Sequence, residues 1–286
     1  MVIPAIVFLF IFSYLPLQGY ILAFKKYKPS LGIWGSNWVG LDHFKVFLSS
    51  SYLPVVLWNT LKISLSRVFI VFPMPIIFAL LLNEIRSKKF VRTVQTISYL
   101  PHFVSWVIVA GMVYNMLAAN GLVNNVIRLL TGRETPIIFL ANGDNFLPLV
   151  IFTFIWKEIG WESIIYLAAL TSVDPQLEEA AVIDGANRFQ RIWHVSIPSI
   201  LGTVMILFIM ALSGLLNTNF DQVFLLQNPA IIEQSETIDT FVYRVGISQG
   251  QFDYGQAVNT FKAVISLLLL AIANRLSNKV TGYGLW

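Results

Sequence analysis

The sequence has no cysteine and little charge, and both absences exclude whole classes of protein. Without cysteine among its 286 residues, the chain has neither a disulfide framework nor a thiolate metal site or nucleophile. Charged residues make up only 12% of the chain, 56% of residues are apolar, and the mean hydropathy is +0.71. This composition is poor material for a water-exposed surface. The lipid bilayer is therefore the better solvent for this chain.

Other chemical signals are also scarce. His43, His102 and His194 are scattered rather than spaced as metal ligands, so we predict no metal site. The net charge of +4 comes without a basic stripe, which leaves no argument for a nucleic-acid partner. No Gly-x-x-x-x-Gly-Lys-Ser/Thr sequence occurs, so we expect the chain not to hydrolyse ATP itself. We predict neither an enzyme nor a bound cofactor.

Long apolar runs dominate what is present. A membrane-spanning helix needs about 20 mostly apolar residues. The chain has six such runs: Val2 to Phe24, Val55 to Leu82, Thr93 to Ala118, Leu147 to Val173, Ser199 to Leu226 and Val258 to Leu276. They predict an all-α, polytopic membrane bundle of about six transmembrane helices, folded as a single domain over residues 1–286. An even number of spans places both ends on one side.

The basic residues favour cytosolic termini, because Lys and Arg are denser on the cytoplasmic side of membrane proteins. In that orientation the inner segments hold eight basic residues: Arg86, Lys88, Lys89, Arg92, Arg188, Arg191, Arg275 and Lys279. The longer outer loops hold seven: Lys25, Lys26, Lys28, Lys45, Arg128, Arg133 and Arg244. Lys25, Lys26 and Lys28, which directly follow the first run, favour a cytosolic position for that end of the run. They therefore argue against this orientation.

The polar segment 174–198, between the fourth and fifth runs, has strong local signals. Asp174 suits a helix N-cap and Pro175 the first helical position. Gly185 permits a turn that other residues resist. Apolar residues recur at helical spacing on both sides of this glycine, which predicts two short amphipathic helices. Such a pair fits either a docking loop for a soluble partner or helices lying on lipid.

A further pattern favours docking. Glu179-Ala180-Ala181, then Gly185, then Val195-Ser196-Ile197-Pro198 resembles the EAA loop of binding-protein-dependent ABC importers. That family's loop has Glu-Ala-Ala, Gly and Ile-x-Leu-Pro at this spacing, so Val195 and Ile197 replace the usual Ile and Leu. The triplet Asp184-Gly185-Ala186 is similar to the form common in carbohydrate permeases.

The resemblance covers nearly the whole chain. Three later stretches resemble sugar permeases: 219–224 (NFDQVF), 240–244 (TFVYR) and 252–257 (FDYGQA). Three others resemble the subgroup that handles complex and acidic oligosaccharides such as alginate: 23–27 (AFKKY), 32–36 (GIWGS) and 282–286 (GYGLW). One stretch departs, because Gln227-Asn228-Pro229 stands where relatives often have Gly-Gly-Pro. The outer turn there is expected to differ.

The resemblance implies a permease subunit that forms half of an oligosaccharide pathway in the bacterial cytoplasmic membrane. It also implies partners: a homologous but different permease, two ATPase subunits that use ATP and Mg, and a soluble periplasmic or lipid-anchored solute-binding protein. Small residues would allow close approach of the ATPase, and charged ones would contact it. The implied coupling residues are Glu179, Ala180, Ala181, Asp184, Gly185 and Arg188.

Ionisable residues inside the apolar runs are costly and usually face a cavity or a partner. They are Lys62, Arg67, Lys157, Glu158, Glu162 and Lys262. Tryptophan faces suit sugar rings, and amides can replace sugar hydration. The candidate pathway residues are Trp156, Lys157, Glu158, Trp161, Asn217, Asn219 and Asp221. If the cargo is acidic, Lys62, Arg67 or Lys157 would offset its carboxylates.

Other interpretations stay open at this point. The polar span residues suit interhelical hydrogen bonding as well as a pathway. The alternatives in function are an ion-coupled secondary transporter, a permease for another small solute, and a structural membrane subunit without a pathway. A secondary transporter often has internal repeats, and none is evident in this sequence.

Overall fold

A computed structural model describes residues 2–281, so the predicted similarity at 282–286 lies outside the described residues. The longer helices are α1 (Ile3–Phe24), α2 (Asp42–Leu48), α3 (Leu53–Asn83), α4 (Lys88–Tyr99), α5 (Trp106–Leu117), α6 (Leu122–Thr131), α7 (Phe146–Thr171), α8 (Pro175–Ile183), α9 (Arg188–Ser213), α10 (Phe220–Leu226), α11 (Ile238–Val242) and α12 (Phe252–Thr281). Short helical turns lie at Pro29–Leu31, Gly32–Gly35, Phe139–Ala141, Gly143–Asn145, Pro229–Ile231, Ile232–Ser235 and Tyr243–Ser248. Two short strands, β1 (Lys25–Lys26) and β2 (Asn37–Trp38), pair antiparallel.

The predicted all-α membrane bundle is confirmed. Within residues 2–281, five stretches are long and apolar enough to cross a membrane: α1, α3, Trp106–Thr131 (α5 and α6 together), α9 and α12. Helix α7 is also long enough at 26 residues. It is missing from the five because it carries three charged residues, Lys157, Glu158 and Glu162.

Two of the predicted spans are broken, which corrects their boundaries. The run from Thr93 to Ala118 is interrupted after α4, where Pro101 falls in a tight turn and Ser105 caps α5 by accepting a hydrogen bond from the Ile108 amide. The run from Ser199 to Leu226 is interrupted between α9 and α10 at residues 214–219. Both runs are apolar on average in spite of polar residues such as His102 and Asn217, so average hydropathy does not reveal either break.

Helix α7 is the central element of the packing. Its N-terminal half contributes Phe146 and Val150 to a buried cluster with Ile63 of α3 and Val223 of α10. Its other half contributes Tyr166 and Leu170 to a second cluster, which joins it to α3 and α9. In contrast, the span of α1 has no buried residue in its most apolar window. The second half of α1 packs against α12 and buries Ala23. The exposed apolar side chains of its first half are left to lipid or to another subunit.

A buried ion pair fixes the segment before α11. Glu236 is fully buried, and its carboxylate accepts hydrogen bonds from the Arg244 guanidinium at 2.6 and 2.8 Å. Asn59 of α3 donates to the Glu236 carbonyl at 3.1 Å. Burial, together with the nearby Glu236 carboxylate, raises the pKa of Tyr52 to about 12. These contacts attach α11 to the start of α3.

The loop after α1 is attached to the start of α12. The Tyr27 amide donates to Asp253 Oδ2 at 2.9 Å, and His43 Nε2 lies 3.6 Å from the same oxygen. Lys25 is buried and donates from its ammonium to the carbonyls of Ile33 and Trp34. Trp34 and Trp38 are largely exposed, as expected for an interfacial loop.

Helices α4 and α7 touch through their backbones at Gly160. A Cβ placed on Gly160 would overlap the carbonyl of Ser98. We therefore predict that Gly160→Ala destabilises the protein by about 1–3 kcal/mol, the usual cost of forcing atoms into a packed site. A lowered unfolding midpoint in detergent would measure this effect.

Gly111 of α5 is the matched control, because a Cβ there would meet nothing within 4 Å. Gly111→Ala should leave the midpoint unchanged or slightly raised, since alanine favours helix more than glycine does. Equal midpoints for both alanine variants would contradict the tight contact.

Candidate functional site

A polar cavity of about 530 Å³ lies among α3, α7, α9 and the break before α10. Its lining combines apolar and polar side chains: Ser64, Arg67, Val68, Val71, Phe72, Phe154, Glu162, Met210, Ala211, Gly214, Leu215, Asn217, Asn219, Phe220 and Asp221. A cavity with charges of both signs is unusual in a chain with so few charged residues. It is therefore the strongest candidate for a functional site.

Arg67 anchors one wall of the cavity. Its guanidinium lies 4.0 Å from the ring centroid of Phe154 and donates from Nη1 to the carbonyl of Asn217 at 3.2 Å. Arg67 also begins a π-helical turn, Arg67–Val71, within α3. Such turns are often found at functional sites. Ser64, one turn earlier, has a buried hydroxyl without a hydrogen-bond partner among the described residues.

The break at residues 214–219 forms the opposite wall. Asn219 has φ 60°, a left-handed conformation, and its side chain accepts a hydrogen bond from the Gln222 amide to cap α10. Thr218 is buried and donates to Thr237 at 3.2 Å. Asn217 and Asp221 are exposed towards the cavity. The predicted pathway residues Asn217, Asn219 and Asp221 thus lie together on this wall.

The other four predicted pathway residues do not line this cavity. Lys157 is buried, and its ammonium contacts Glu158 Oε1 at 3.2 Å and the carbonyl of His102. His102 Nδ1 lies 2.6 Å from Glu158 Oε2, and its ring stacks on Trp161 with centroids 4.3 Å apart. One face of Trp161 is therefore already covered. Trp156 is partly exposed on α7 and does not line the cavity either.

Sequence reasoning found Arg67 and Glu162, because a charge within an apolar run is conspicuous, but it did not group them with Asn217. It missed Ser64, Phe72 and Phe154. An aromatic or serine side chain within a span has no local feature that marks it as a cavity residue. The grouping depends on how three helices pack, which a single sequence does not show.

The segment 174–198 carries the second candidate site. Asp174 caps α8 by accepting a hydrogen bond from the Gln176 amide at 2.9 Å, as predicted, and Pro175 is the first helical residue. Gly185 has φ +81° and ends this helix. The segment beyond the turn differs from prediction. A capping box at Asn187 starts α9, which runs unbroken to Ser213 instead of forming a second short helix.

The predicted coupling residues lie around the turn at Gly185. Glu179, Ala180, Asp184 and Arg188 are exposed, and Ala181 is half-buried. A groove of about 290 Å³ lies beside them, lined by Ala181, Asp184, Gly185, Ala186, Gln190, His194 and Val195. Large apolar side chains are exposed on the same segment: Leu177, Val182, Ile183, Phe189 and Trp193. This surface has the form of a docking site for another protein.

Comparison with known proteins decides the family. The family described as "Binding-protein-dependent transport system inner membrane component" matches residues 71–280. The chain belongs to this family. The predicted family resemblance is confirmed, and the chain is a permease, a transport component of the inner membrane and not an enzyme.

Two relatives show the range of similarity within this permease family. The polygalacturonan/rhamnogalacturonan transport system permease protein YteP of Bacillus subtilis is 44% identical over 287 residues, covering 100% of this chain and 89% of the relative. The arabinooligosaccharides transport system permease protein AraP of Bacillus subtilis is 26% identical over 282 residues, covering 97% and 87%. Both names belong to transporters of oligomeric or polymeric sugars.

A solved structure is similar over the full length of this permease. It is a chain of a bacterial alginate ABC transporter in complex with an alginate pentasaccharide-bound periplasmic protein. The TM-score is 0.91 with 37% identity, covering 100% of this chain and 95% of the other. A second alginate importer structure gives a TM-score of 0.90 at 38% identity, covering 98% and 94%. This membership favours an importer over an ion-coupled secondary transporter.

Removing the buried ammonium of Lys157 should be costly. Lys157→Met leaves Glu158 without its cation and the His102 carbonyl without its donor, and we expect a loss of about 3–5 kcal/mol in stability. Thermal unfolding in detergent would measure it. Lys62→Met is the control, because Lys62 makes no ion pair within residues 2–281. Equal destabilisation by the two changes would refute a structural role for the Lys157 cluster.

Proposed function

We propose that this permease forms half of the translocation pathway of an ATP-driven importer for acidic oligosaccharides. The main support for this proposal is the polar cavity bounded by Arg67 and the break at residues 214–219. Its polar side chains can replace the hydration of sugar hydroxyls during passage. The similarity to permeases of polygalacturonan/rhamnogalacturonan and alginate transporters supports an acidic sugar as cargo.

Within the cavity, one cation is placed to bind the carboxylates of an acidic cargo. Of the three cations expected to offset carboxylates, Lys62, Arg67 and Lys157, only Arg67 lines the cavity. Lys157 is occupied by Glu158 and His102. A guanidinium can bind a carboxylate with two parallel hydrogen bonds, which makes it well suited to a uronic acid.

We also propose the partners of this permease and its orientation in the membrane. The segment 174–198 docks one of two ATPase subunits, which use ATP and Mg, through Glu179, Ala180, Ala181, Asp184, Gly185 and Arg188. The second half of the pathway comes from a homologous but different permease. A soluble or lipid-anchored binding protein delivers the cargo, as the complex with a periplasmic protein in the similar structure suggests. Both termini are cytosolic, since this places segment 174–198 inside.

Docking of the ATPase gives the first test. Glu179→Lys combined with Gly185→Val should abolish recovery of the ATPase when the tagged permease is purified from membranes with its partners. The valine is strained at φ +81°, and the lysine reverses a contact charge. Association that survives both changes would rule out docking through this segment.

Gly132→Val is the matched control for backbone strain. Gly132 has φ +71° and open space around it, as Gly185 does, but it lies after α6. This variant should retain the ATPase. Loss of the ATPase in the control would mean that the double variant reports misfolding instead of docking.

Cargo charge gives the second test. Arg67→Gln should lower uptake of a galacturonate trisaccharide into proteoliposomes by about tenfold or more, the effect of losing one charge-assisted hydrogen bond. Uptake of a neutral trisaccharide by the same variant should fall less. Lys62→Gln, outside the cavity lining, should leave both rates near wild type. An equal fall for both sugars would assign Arg67 to structure instead of cargo charge.

A further inference from the structure

An ion pair joins the docking segment to α3. Arg191 lies in the first turn of α9, and Glu84 follows the end of α3. Arg191 Nη2 lies 3.2 Å from Glu84 Oε2. Their side chains are only 18% and 15% exposed, so the pair is shielded from most solvent screening. The two residues are 107 positions apart in sequence.

The two helices that meet at this pair also form two walls of the cavity. Helix α3 provides Arg67 and Phe72 to the lining, and α9 provides Met210. From Arg191 to Met210 is 19 residues of helix, or about 28 Å at 1.5 Å per residue. The Glu84–Arg191 pair therefore lies at the docking ends of two helices that line the cavity farther along, α3 through its middle and α9 through its other end.

Rigid contacts link the two ends. On the ion-pair side of the cavity, Ala79 and Leu80 of α3 and Ile200 of α9 share a buried cluster with Tyr166 and Leu170 of α7. Nearer the cavity, the rings of Phe72 and Phe208 meet edge to face with centroids 5.4 Å apart. Close-packed side chains transmit displacement instead of absorbing it. A movement of the start of α9 would thus be passed on to both cavity walls.

The pair is also incompletely satisfied. Arg191 Nε is buried and has no hydrogen-bond partner among the described residues. The guanidinium uses a single nitrogen towards Glu84, although its fork can hold a carboxylate with two. The unused Nε therefore leaves the guanidinium with a donor available for a second bond to the carboxylate.

We propose that Glu84 and Arg191 form a positioning pair that transmits movement of the docking segment to the cavity walls. The pair acts between the helices and contacts neither cargo nor nucleotide. This proposal rests on the proposed function, since it requires an ATPase that moves segment 174–198. It predicts that breaking the pair uncouples ATP hydrolysis from transport without releasing the ATPase.

The test uses charge reversal in the complete transporter, reconstituted in proteoliposomes with its ATPase and loaded binding protein. Glu84→Arg and, separately, Arg191→Glu should lower transport by about fivefold or more while ATP hydrolysis continues, so that more ATP is consumed per transported sugar; fivefold is the lower range of coupling between distant sites. Both variants should retain the ATPase on purification. Because like charges at this largely buried position lower the unfolding midpoint, transport and ATP hydrolysis are compared per folded transporter. The double exchange Glu84→Arg with Arg191→Glu should restore most of the transport.

Any other outcome would contradict the proposed role of the Glu84–Arg191 pair. Wild-type coupling in the single variants would show that the contact transmits nothing. Failure of the double exchange to restore transport would show that the two side chains act separately. Loss of the ATPase in the single variants would assign the residues to docking, and transport that falls only in proportion to the amount of folded transporter would assign them to folding. If wild type itself retains no ATPase, the proposed function fails instead.

A surface ion pair provides the control. Asp42 and Lys45 lie 3.4 Å apart on α2, where both side chains are largely exposed. Asp42→Arg breaks a pair of the same chemical kind, far from segment 174–198 in sequence. It should leave the number of ATP molecules consumed per transported sugar unchanged. An equal effect of this change would mean that the assay detects any surface charge reversal.

Discussion

A peptide group that leaves a helix inside the bilayer needs a partner within the protein, because no water is present to supply one. This constraint organises the interior of the permease. At the break before α10, Arg67 donates to the Asn217 carbonyl. At the break after α4, Lys157 donates to the His102 carbonyl. Arg67 and Lys157, two cations that are costly to place in a bilayer, therefore each satisfy a carbonyl group at a helix break.

The same constraint explains why polarity and cavity coincide. A break frees carbonyl groups and polar side chains, and the groups that satisfy them accumulate around it. Before α10 this accumulation borders open space, so Asn217, Asn219 and Asp221 remain available to a ligand. After α4 it is sealed by the stacking of His102 on Trp161. One break thus forms a site, and the other holds α4 and α7 together.

The sequence is informative where structure depends on local chemistry. Apolar runs predict the spanning helices, and Asp174 with Pro175 predicts the start of α8, because each effect acts within one helical turn. The breaks escape prediction because their carbonyls find donors far away in sequence: Arg67 lies 150 positions from Asn217, and Lys157 lies 55 positions from His102. The second half of segment 174–198 is ambiguous for a different reason. Phe189, Ile192 and Trp193 have the same spacing in a short helix and in the first turns of a long one, as α9 proves to be.

The Tyr27–Asp253 hydrogen bond has a consequence for biogenesis. It joins residues 226 positions apart, tying the loop after the first span to the start of α12. At ribosomal rates of 5–20 residues per second, roughly 10–45 s pass between synthesis of its two partners. During that interval the Lys25–Tyr27 loop lacks its anchor, and α1 has almost no protein surface to cover it. Helix α1, which is synthesised before the other spans within residues 2–281, is therefore among the last to find its place, and until then insertion factors or lipid must shield it.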